Sequence, residues 1–310
     1  MISPIRLKKI AFHIPPRRVS TLERGRAFDY SESFLQQKIG TLELAMKEPD
    51  QQPSDLCVKA AETLLSQGVS FEDLGALIVC TQTPDDHGIP HTSSVIHRKL
   101  SLHENCACFD ISLGCSGYVY GLSIAMAFMQ AHGIRRGLFF TCDPYSSIVN
   151  AEDQATALLF GDAATVSLLE QDGSGWALTD ALFATQGQGG DAIHNRNGTL
   201  FMNGREVFNF ALTQVPKQIS QLLQQRNLTL ADVDLLALHQ GSRYMVEKIR
   251  ERLKLSPEKA PVYLEGIGNT VSSAIPLLLA QHLHQIPKRV IMSGFGVGLS
   301  YATALLEWKD

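Results

Sequence analysis

The sequence predicts an α/β protein built from two similar halves, and three observations carry that prediction. Apolar strand-like runs alternate with amphipathic helix-like segments, the pattern of parallel sheets covered by helices. Residues 60–80, AAETLLSQGVSFEDLGALIVC, are echoed by residues 219–239, ISQLLQQRNLTLADVDLLALH. Each reads as a helix, a turn, an S/T-x-x-D element and an apolar strand, with Ser70 and Asp73 matching Thr229 and Asp232 at one constant offset. A weaker echo pairs the basic turns and apolar strands at 135–140 and 288–292. The loop Asp172-Gly173-Ser174-Gly175 then divides an N-terminal half, 1–172, from a C-terminal half, 173–310.

Composition narrows the function classes. With 45% hydrophobic and 19% charged residues in 310, the chain has material for one large core or two fused lobes. The balance of 27 basic and 31 acidic residues gives a net charge of -4, so no basic field points to nucleic acid or a membrane surface. No apolar run approaches membrane-spanning length and the basic start lacks a signal-peptide core, so a cytoplasmic location is expected. Six cysteines lack the density of a disulfide scaffold and the spacing of a zinc site. Cys106 and Cys108 share one face of a strand pattern and read as core, with metal binding a remote alternative.

Cys115 stands where a cysteine becomes reactive. Residues 106–111 read as a short buried strand, and residues 118–130 carry apolar side chains at helical spacing until Gly133 ends the helix. Between them, in Leu113-Gly114-Cys115-Ser116-Gly117, the thiol would lie at a helix N-terminus, where orphan N–H groups favour thiolate and glycines admit a substrate. Taken alone, a small buried core cysteine is the commoner role. His239 ends the apolar strand 233–238, and Asn269 sits in a Gly-rich turn before the apolar helix 274–284. Each also has an ordinary structural role open to it, as a satisfied histidine and as a turn or cap residue. The glycine-rich turn 293–298 follows a strand like a phosphate loop, but residues 299–308 read as another strand, so a dinucleotide site is not expected.

Seven segments, taken in order, resemble the β-ketoacyl-acyl-carrier-protein synthase III family of the thiolase superfamily over nearly the whole chain. They are Thr83-Pro84-Asp85 with Ile89-Pro90, the Cys115 segment, Leu159-Phe160-Gly161-Asp162-Ala163, Met202-Asn203-Gly204-Arg205-Glu206-Val207-Phe208, His239-Gln240, Gly268-Asn269-Thr270 and Gly294-Phe295-Gly296. The resemblance implies a thiolase-like five-layered αβαβα sandwich of two duplicated βαβαβαββ halves, assembled as a homodimer. It implies Cys115, His239 and Asn269 as a catalytic triad. Cys115 would take an acyl group from a coenzyme A or acyl-carrier-protein thioester, and a malonyl thioester would then lose carbon dioxide. His239 and Asn269 would donate to the enolate oxygen, and the backbone N–H groups of Cys115 and the Gly296-Val297 turn would form an oxyanion hole. Ile89 would project into the acyl pocket of the partner subunit. This chemistry requires no metal and no redox cofactor. Acyl transfer to a non-malonyl acceptor, and service as one subunit of a heterodimeric ketosynthase, are the alternatives.

Departures from the family pattern point to a specialised member in secondary metabolism, such as polyketide-starter synthesis, rather than to the initiator of fatty acid biosynthesis. Where housekeeping members carry a tryptophan and several arginines for the coenzyme A nucleotide, residues 34–44 read FLQQKIGTLEL, with only Lys38 positive. A family Asp-Arg-x-Thr becomes Asp153-Gln154-Ala155-Thr156. Weak coenzyme A binding is therefore expected, with either delivery of the acyl group by acyl carrier protein or coenzyme A held by different residues. Arg243, Lys248, Arg250 and Arg252 offer a basic docking helix, although Glu247 and Glu251 interleave and a mixed solvated face reads equally well. Ser242 replaces a family asparagine, so the active-site loop is expected to be held more loosely. Val297 stands where glycine is frequent, which strains the chain only if that residue needs positive φ.

Overall fold

The computed structural model describes residues 4–310. Among the described residues the strands are β1 (Arg6–His13), β2 (Arg18–Ser20), β3 (Glu43–Ala45), β4 (Ala76–Cys80), β5 (Ala107–Ile111), β6 (Arg136–Cys142), β7 (Ala164–Glu170), β8 (Gly175–Thr185), β9 (Ile193–Arg196), β10 (Thr199–Met202), β11 (Leu235–Leu238), β12 (Arg289–Gly296) and β13 (Ser300–Lys309). The α-helices are α1 (Thr21–Gly25), α2 (Glu32–Phe34), α3 (Pro53–Ser66), α4 (Thr92–Lys99), α5 (Gly117–Ala131), α6 (Gly204–Gln225), α7 (Arg243–Leu253) and α8 (Ala274–His282).

Helix character decides the layers. α5 (GYVYGLSIAMAFMQA) and α8 (AIPLLLAQH) are apolar on nearly every side, which suits neither to a surface. Both lie between sheets: α5 contacts β4 and β6 as well as β8, β12 and β13, and α8 contacts β1 and β7 as well as β11 and β12. By contrast α3 and α6 bury one face each, α3 against β1, β6 and β7, α6 against β8, β12 and β13. The outcome is the five-layered sandwich that the sequence predicts. Tyr118, Leu122, Phe139, Leu278 and Met292 are fully buried in the cluster joining the central helices to both sheets. Each such side chain stabilises the fold by about 1.5–3 kcal/mol through removal from water.

The two sheets repeat one pairing scheme. In the first half the order is β5-β4-β6-β7-β1, with β4 parallel to β5 and β6, and the β6–β7 and β7–β1 pairs antiparallel. In the second, β11-β12-β13-β8 runs parallel, antiparallel, antiparallel. Residues 259–264 run beside β11 where the counterpart of β5 would stand, with the Leu236 N–H donating to the Lys259 carbonyl at 2.8 Å. The sheets join through the Leu7–Trp176 bridge.

That repeat places the chemistry. β5 leads through Cys115 into α5, and residues 259–264 lead through Asn269 toward α8, so equivalent turns deliver both residues to the N-terminal ends of the two buried helices. β11 ends just before His239, and β12 ends on Gly296. Phe160 and Asn269 form a parallel bridge that ties the Phe160-Gly161-Asp162 segment to the Asn269 turn. A side chain at Gly161 has no room there, because an added Cβ would stand 1.8 Å from the Ile267 carbonyl oxygen. Gly161→Ala should therefore cost at least about 1–3 kcal/mol of stability by overpacking, read as a lowered melting temperature. Gly187→Ala, where an added methyl meets nothing within 4 Å, is the control and should leave the melting temperature in place.

Candidate active site

A cavity of about 510 Å³ brings Cys115, His239, Asn269, Phe295 and Gly296 together. The first three are at most 5% exposed and mark its inner end, while half-buried Tyr30, Phe34, Lys38, Phe208 and Tyr244 line its outer part. The three polar residues that the sequence singles out thus share one nearly dry space.

Cys115 sits against the turn between β12 and β13. A Cβ added at Gly296 would lie 2.7 Å from the Cys115 sulfur, so only glycine lets that turn close over the thiol. The unusual dihedrals fall on Gly296 (φ 158°) and Gly298 (φ 131°), and Val297 between them avoids positive φ, which removes the strain considered for it. Burial pushes the thiol up to about 12, opposed by the Val297 N–H, raised further by the Asp143 charge and opposed again by its own N–H. The helix N-terminus was the reason to expect a thiolate, but desolvation outweighs it. The Val297 and Cys115 N–H groups do converge on the sulfur, and Gly296 contributes space.

His239 is 2% exposed, with its ring edge-on to Phe295 at 5.5 Å. Burial drives its basicity down to about 3 against an opposing backbone contact from Val271, so the imidazole is neutral at physiological pH. Its Nδ1 is buried and makes no hydrogen bond of its own. The neighbouring Gln240 amide donates to the Leu238 carbonyl at 2.8 Å and accepts the Tyr263 N–H at 2.9 Å, holding the end of β11 to the adjacent segment. Ser242 caps α7, accepting the Met245 N–H at 3.3 Å.

Asn269 is fixed from three sides. Its N–H donates to the Leu159 carbonyl at 2.8 Å, its carbonyl accepts the Gly161 N–H at 3.0 Å, and its Oδ1 accepts the Val271 N–H at 2.9 Å. With Oδ1 taken, the side-chain amine is the end left for the cavity. The turn is strained, because buried, β-branched Val271 is held at φ 55°, a conformation costing about 1–3 kcal/mol.

Several residues here escape a reading by sequence. Asp143, fully buried at the end of β6, receives the Gln82 N–H at 2.6 Å and the Ser272 hydroxyl. The Tyr145 hydroxyl donates to Gln82 Oε1 at 2.9 Å. The signal that could have found Asp143 is a lone carboxylate directly after the apolar run LFFTC. At the outer end Tyr30 stacks on Phe34 at 4.2 Å, Phe208 on Tyr244 at 5.4 Å, and the Lys38 ammonium lies 3.6 Å above the Tyr244 ring.

The remaining predicted residues lie elsewhere. Ile89 is 86% exposed and outside the cavity of its own chain. On α7, Arg243 and Arg250 both pair with Glu247, Lys248 pairs with Glu251, and Arg250 also donates to the Ala260 carbonyl at 3.3 Å, while Arg252 is exposed. A groove beside the cavity mouth brings Lys38, Arg243 and Lys248 together with Glu247, Glu251 and Glu265, so its formal charges balance. Among the described residues no helix is long and apolar enough to cross a membrane.

Comparison with known proteins follows the same lines. Residues 109–187 match the family description 3-oxoacyl-acyl-carrier-protein synthase III, and residues 223–308 match its C-terminal region. A β-ketoacyl-acyl-carrier-protein synthase III of Caldanaerobacter subterraneus subsp. tengcongensis is 30% identical, with 96% of each chain covered. The solved 3-oxoacyl-acyl-carrier-protein synthase of Burkholderia xenovorans superimposes with a TM-score of 0.90 at 30% identity, covering 99% of this chain and 94% of that one. A priming β-ketosynthase from a polyketide biosynthetic pathway gives a TM-score of 0.87 at 26% identity, covering 98% and 96%. On the motifs, the five layers and these full-length likenesses, the chain belongs to the β-ketoacyl-acyl-carrier-protein synthase III family of condensing enzymes.

Proposed function

We propose that the chain loads an acyl group onto Cys115 and extends it by decarboxylative Claisen condensation with a malonyl thioester. The observation that carries this reading is the orientation of Asn269. Its Oδ1 is engaged by Val271, which leaves the side-chain amine to donate into a cavity that His239 also lines, and the neutral imidazole protonated at Nε2 would supply the second donor to one oxygen. Acyl transfer alone needs no such pair, whereas an enolate oxygen does.

The steps balance as follows. The Cys115 sulfur attacks the donor thioester, the tetrahedral oxyanion rests on the Cys115 and Val297 N–H groups, and the thiol proton leaves with the departing thiol of the donor. The malonyl thioester then loses carbon dioxide, and the electron pair released becomes an enolate held by His239 and Asn269. The enolate carbon attacks the parked acyl group, forming the new carbon–carbon bond, and the Cys115 thiolate leaves and regains a proton. At rest the site is a thiol beside a neutral imidazole, since burial raises one group and depresses the other.

The donor we propose is an acyl carrier protein rather than free coenzyme A. Supporting this are the charge-balanced groove at the mouth, the aromatic rim, and Asp153, whose carboxylate is spent on the Thr156 hydroxyl and the Ala155 N–H. Exposed Arg252 and half-buried Lys248, which would exchange Glu251 for a carboxylate of the carrier, are the docking contacts proposed for it. Likeness to a priming ketosynthase supports a specialised biosynthetic role. We place the working enzyme as a homodimer, with exposed Ile89 entering the acyl pocket of the other copy.

Four measurements test this reading. Intact-mass analysis with acetyl, octanoyl and benzoyl thioesters of coenzyme A and of carrier protein should show an acyl mass on wild type and none on Cys115→Ala. Malonyl thioester should then discharge that mass as a β-keto product. Asn269→Ala should acylate normally but condense about a hundredfold or more slowly; equal condensation would remove Asn269 from the scheme. Alkylation of Cys115 by iodoacetamide should rise about tenfold per pH unit from pH 7 to 10, as a thiol near 12 ionises. A plateau by pH 8 would instead mark a thiolate at rest. Calorimetric titration should find coenzyme A binding too weak to saturate at micromolar concentration, and micromolar affinity would return the nucleotide to the mouth.

A further inference from the structure

We propose that Asp143 is a positioning residue for condensation, its buried carboxylate holding the strained turn that aims Asn269 into the cavity. The inference rests on the condensing-enzyme reading and adds to it a residue that touches neither substrate.

Asp143 reaches Asn269 through Ser272 and Val271. Asp143 is fully buried, and its carboxylate collects donors from Gln82, from the Ser272 hydroxyl and N–H, and from Thr81. Ser272 directly follows Val271, the β-branched residue at φ 55°. Val271 supplies the N–H that occupies Asn269 Oδ1. A residue in that conformation persists only where its surroundings over-determine it, and on the far side of the strained residue the Ser272–Asp143 bond does so together with the Ser273 hydroxyl, which donates to the Thr141 and Ala163 carbonyls. Without the Ser272–Asp143 bond the turn relaxes, the Asn269 amide is free to rotate, and one enolate donor is lost.

Charge sharpens the inference. Burial raises Asp143 to about 6, which still leaves it a carboxylate at neutral pH. That charge also opposes ionisation of Cys115. A buried anion that hinders the nucleophile is an expensive way to fill space, and its use here is as an acceptor for donors that no neutral side chain of the same shape satisfies. On the Cys115 side the network also closes the loop: an added Cβ at Gly114 would stand 2.5 Å from Gln82 Oε1.

The two half-reactions separate positioning from damage. In Asp143→Asn, iodoacetamide should alkylate Cys115 as fast as or faster than in wild type at the same pH, because a repelling charge has gone. Condensation of the acyl-enzyme, loaded with the panel thioester that labels wild type, should fall about tenfold or more. Ser272→Ala should show the same split, and the double variant should condense no worse than Asp143→Asn alone, since both remove one contact. Unchanged condensation, or condensation and alkylation falling in equal proportion, overturns the assignment. Should Asp143→Asn not fold, Ser272→Ala decides by the same two rates. Wild type that acylates but yields no β-keto product defeats the underlying condensing reading instead, and Asp143 falls with it.

Discussion

Exclusion of water from between the two sheets is the constraint on which the rest of the structure depends. α5 and α8 offer no polar face, so the chain is stable only with both enclosed by sheet on either side. Enclosing them draws their N-terminal ends to one region, and the turns entering those ends carry Cys115 and Asn269. The same enclosure leaves no room for side chains where segments cross, which is why glycine stands at 161, facing a carbonyl, and at 296, facing the thiol. Fold stability and site geometry are here one set of contacts.

Dryness also sets the chemistry. In water a cysteine at a helix end would lean toward thiolate and a histidine beside it toward imidazolium, giving an ion pair. Between the sheets the desolvation of either charge outweighs what a helix end and two N–H groups return, so both groups rest neutral. Neutral donors fixed in a dry cavity need little reorganisation when negative charge develops on an oxygen among them. The cluster is therefore better matched to an oxyanion than to a standing charge. Asp143 is the anion that bears on the thiol, and it accepts from the Gln82 N–H and the Ser272 hydroxyl.

How much of this the sequence reveals follows from how local each signal is. The five layers are legible through the family resemblance, while the helices themselves show locally: α5 and α8 by their apolar runs and α3 and α6 within the repeated helix, turn and strand. The duplicated pairing scheme shows through the echo of 60–80 in 219–239, since a helix, turn and strand of fixed lengths recur. Cys115, His239 and Asn269 stand out as polar residues at the ends of apolar runs. The ionisation of Cys115 is not legible, because the helix N-terminus is visible locally whereas burial comes from β12 and β13, about 180 residues away. Nor is the Asp143 network, whose partners Gln82 and Ser272 lie 61 and 129 positions distant. The aromatic rim is half legible: Tyr30, Phe34 and Lys38 fall four apart, but Phe208 and Tyr244 join them only through folding.

The mouth and the inner end obey opposite logics, and the contrast bears on how substrate is chosen. Inside, the buried cluster is uncharged, with the Cys115 thiol and the His239 imidazole both neutral. At the mouth Lys38 rests on the Tyr244 ring and Arg243 and Lys248 each face a carboxylate, while exposed Arg205 lines the same cavity. An uncharged pantetheine arm loses nothing against aromatic faces and gains apolar contact along the cavity. Aromatic faces and an apolar wall at this mouth therefore suit the arm that any thioester donor carries, and charge there rests with Arg205 and the paired residues around it.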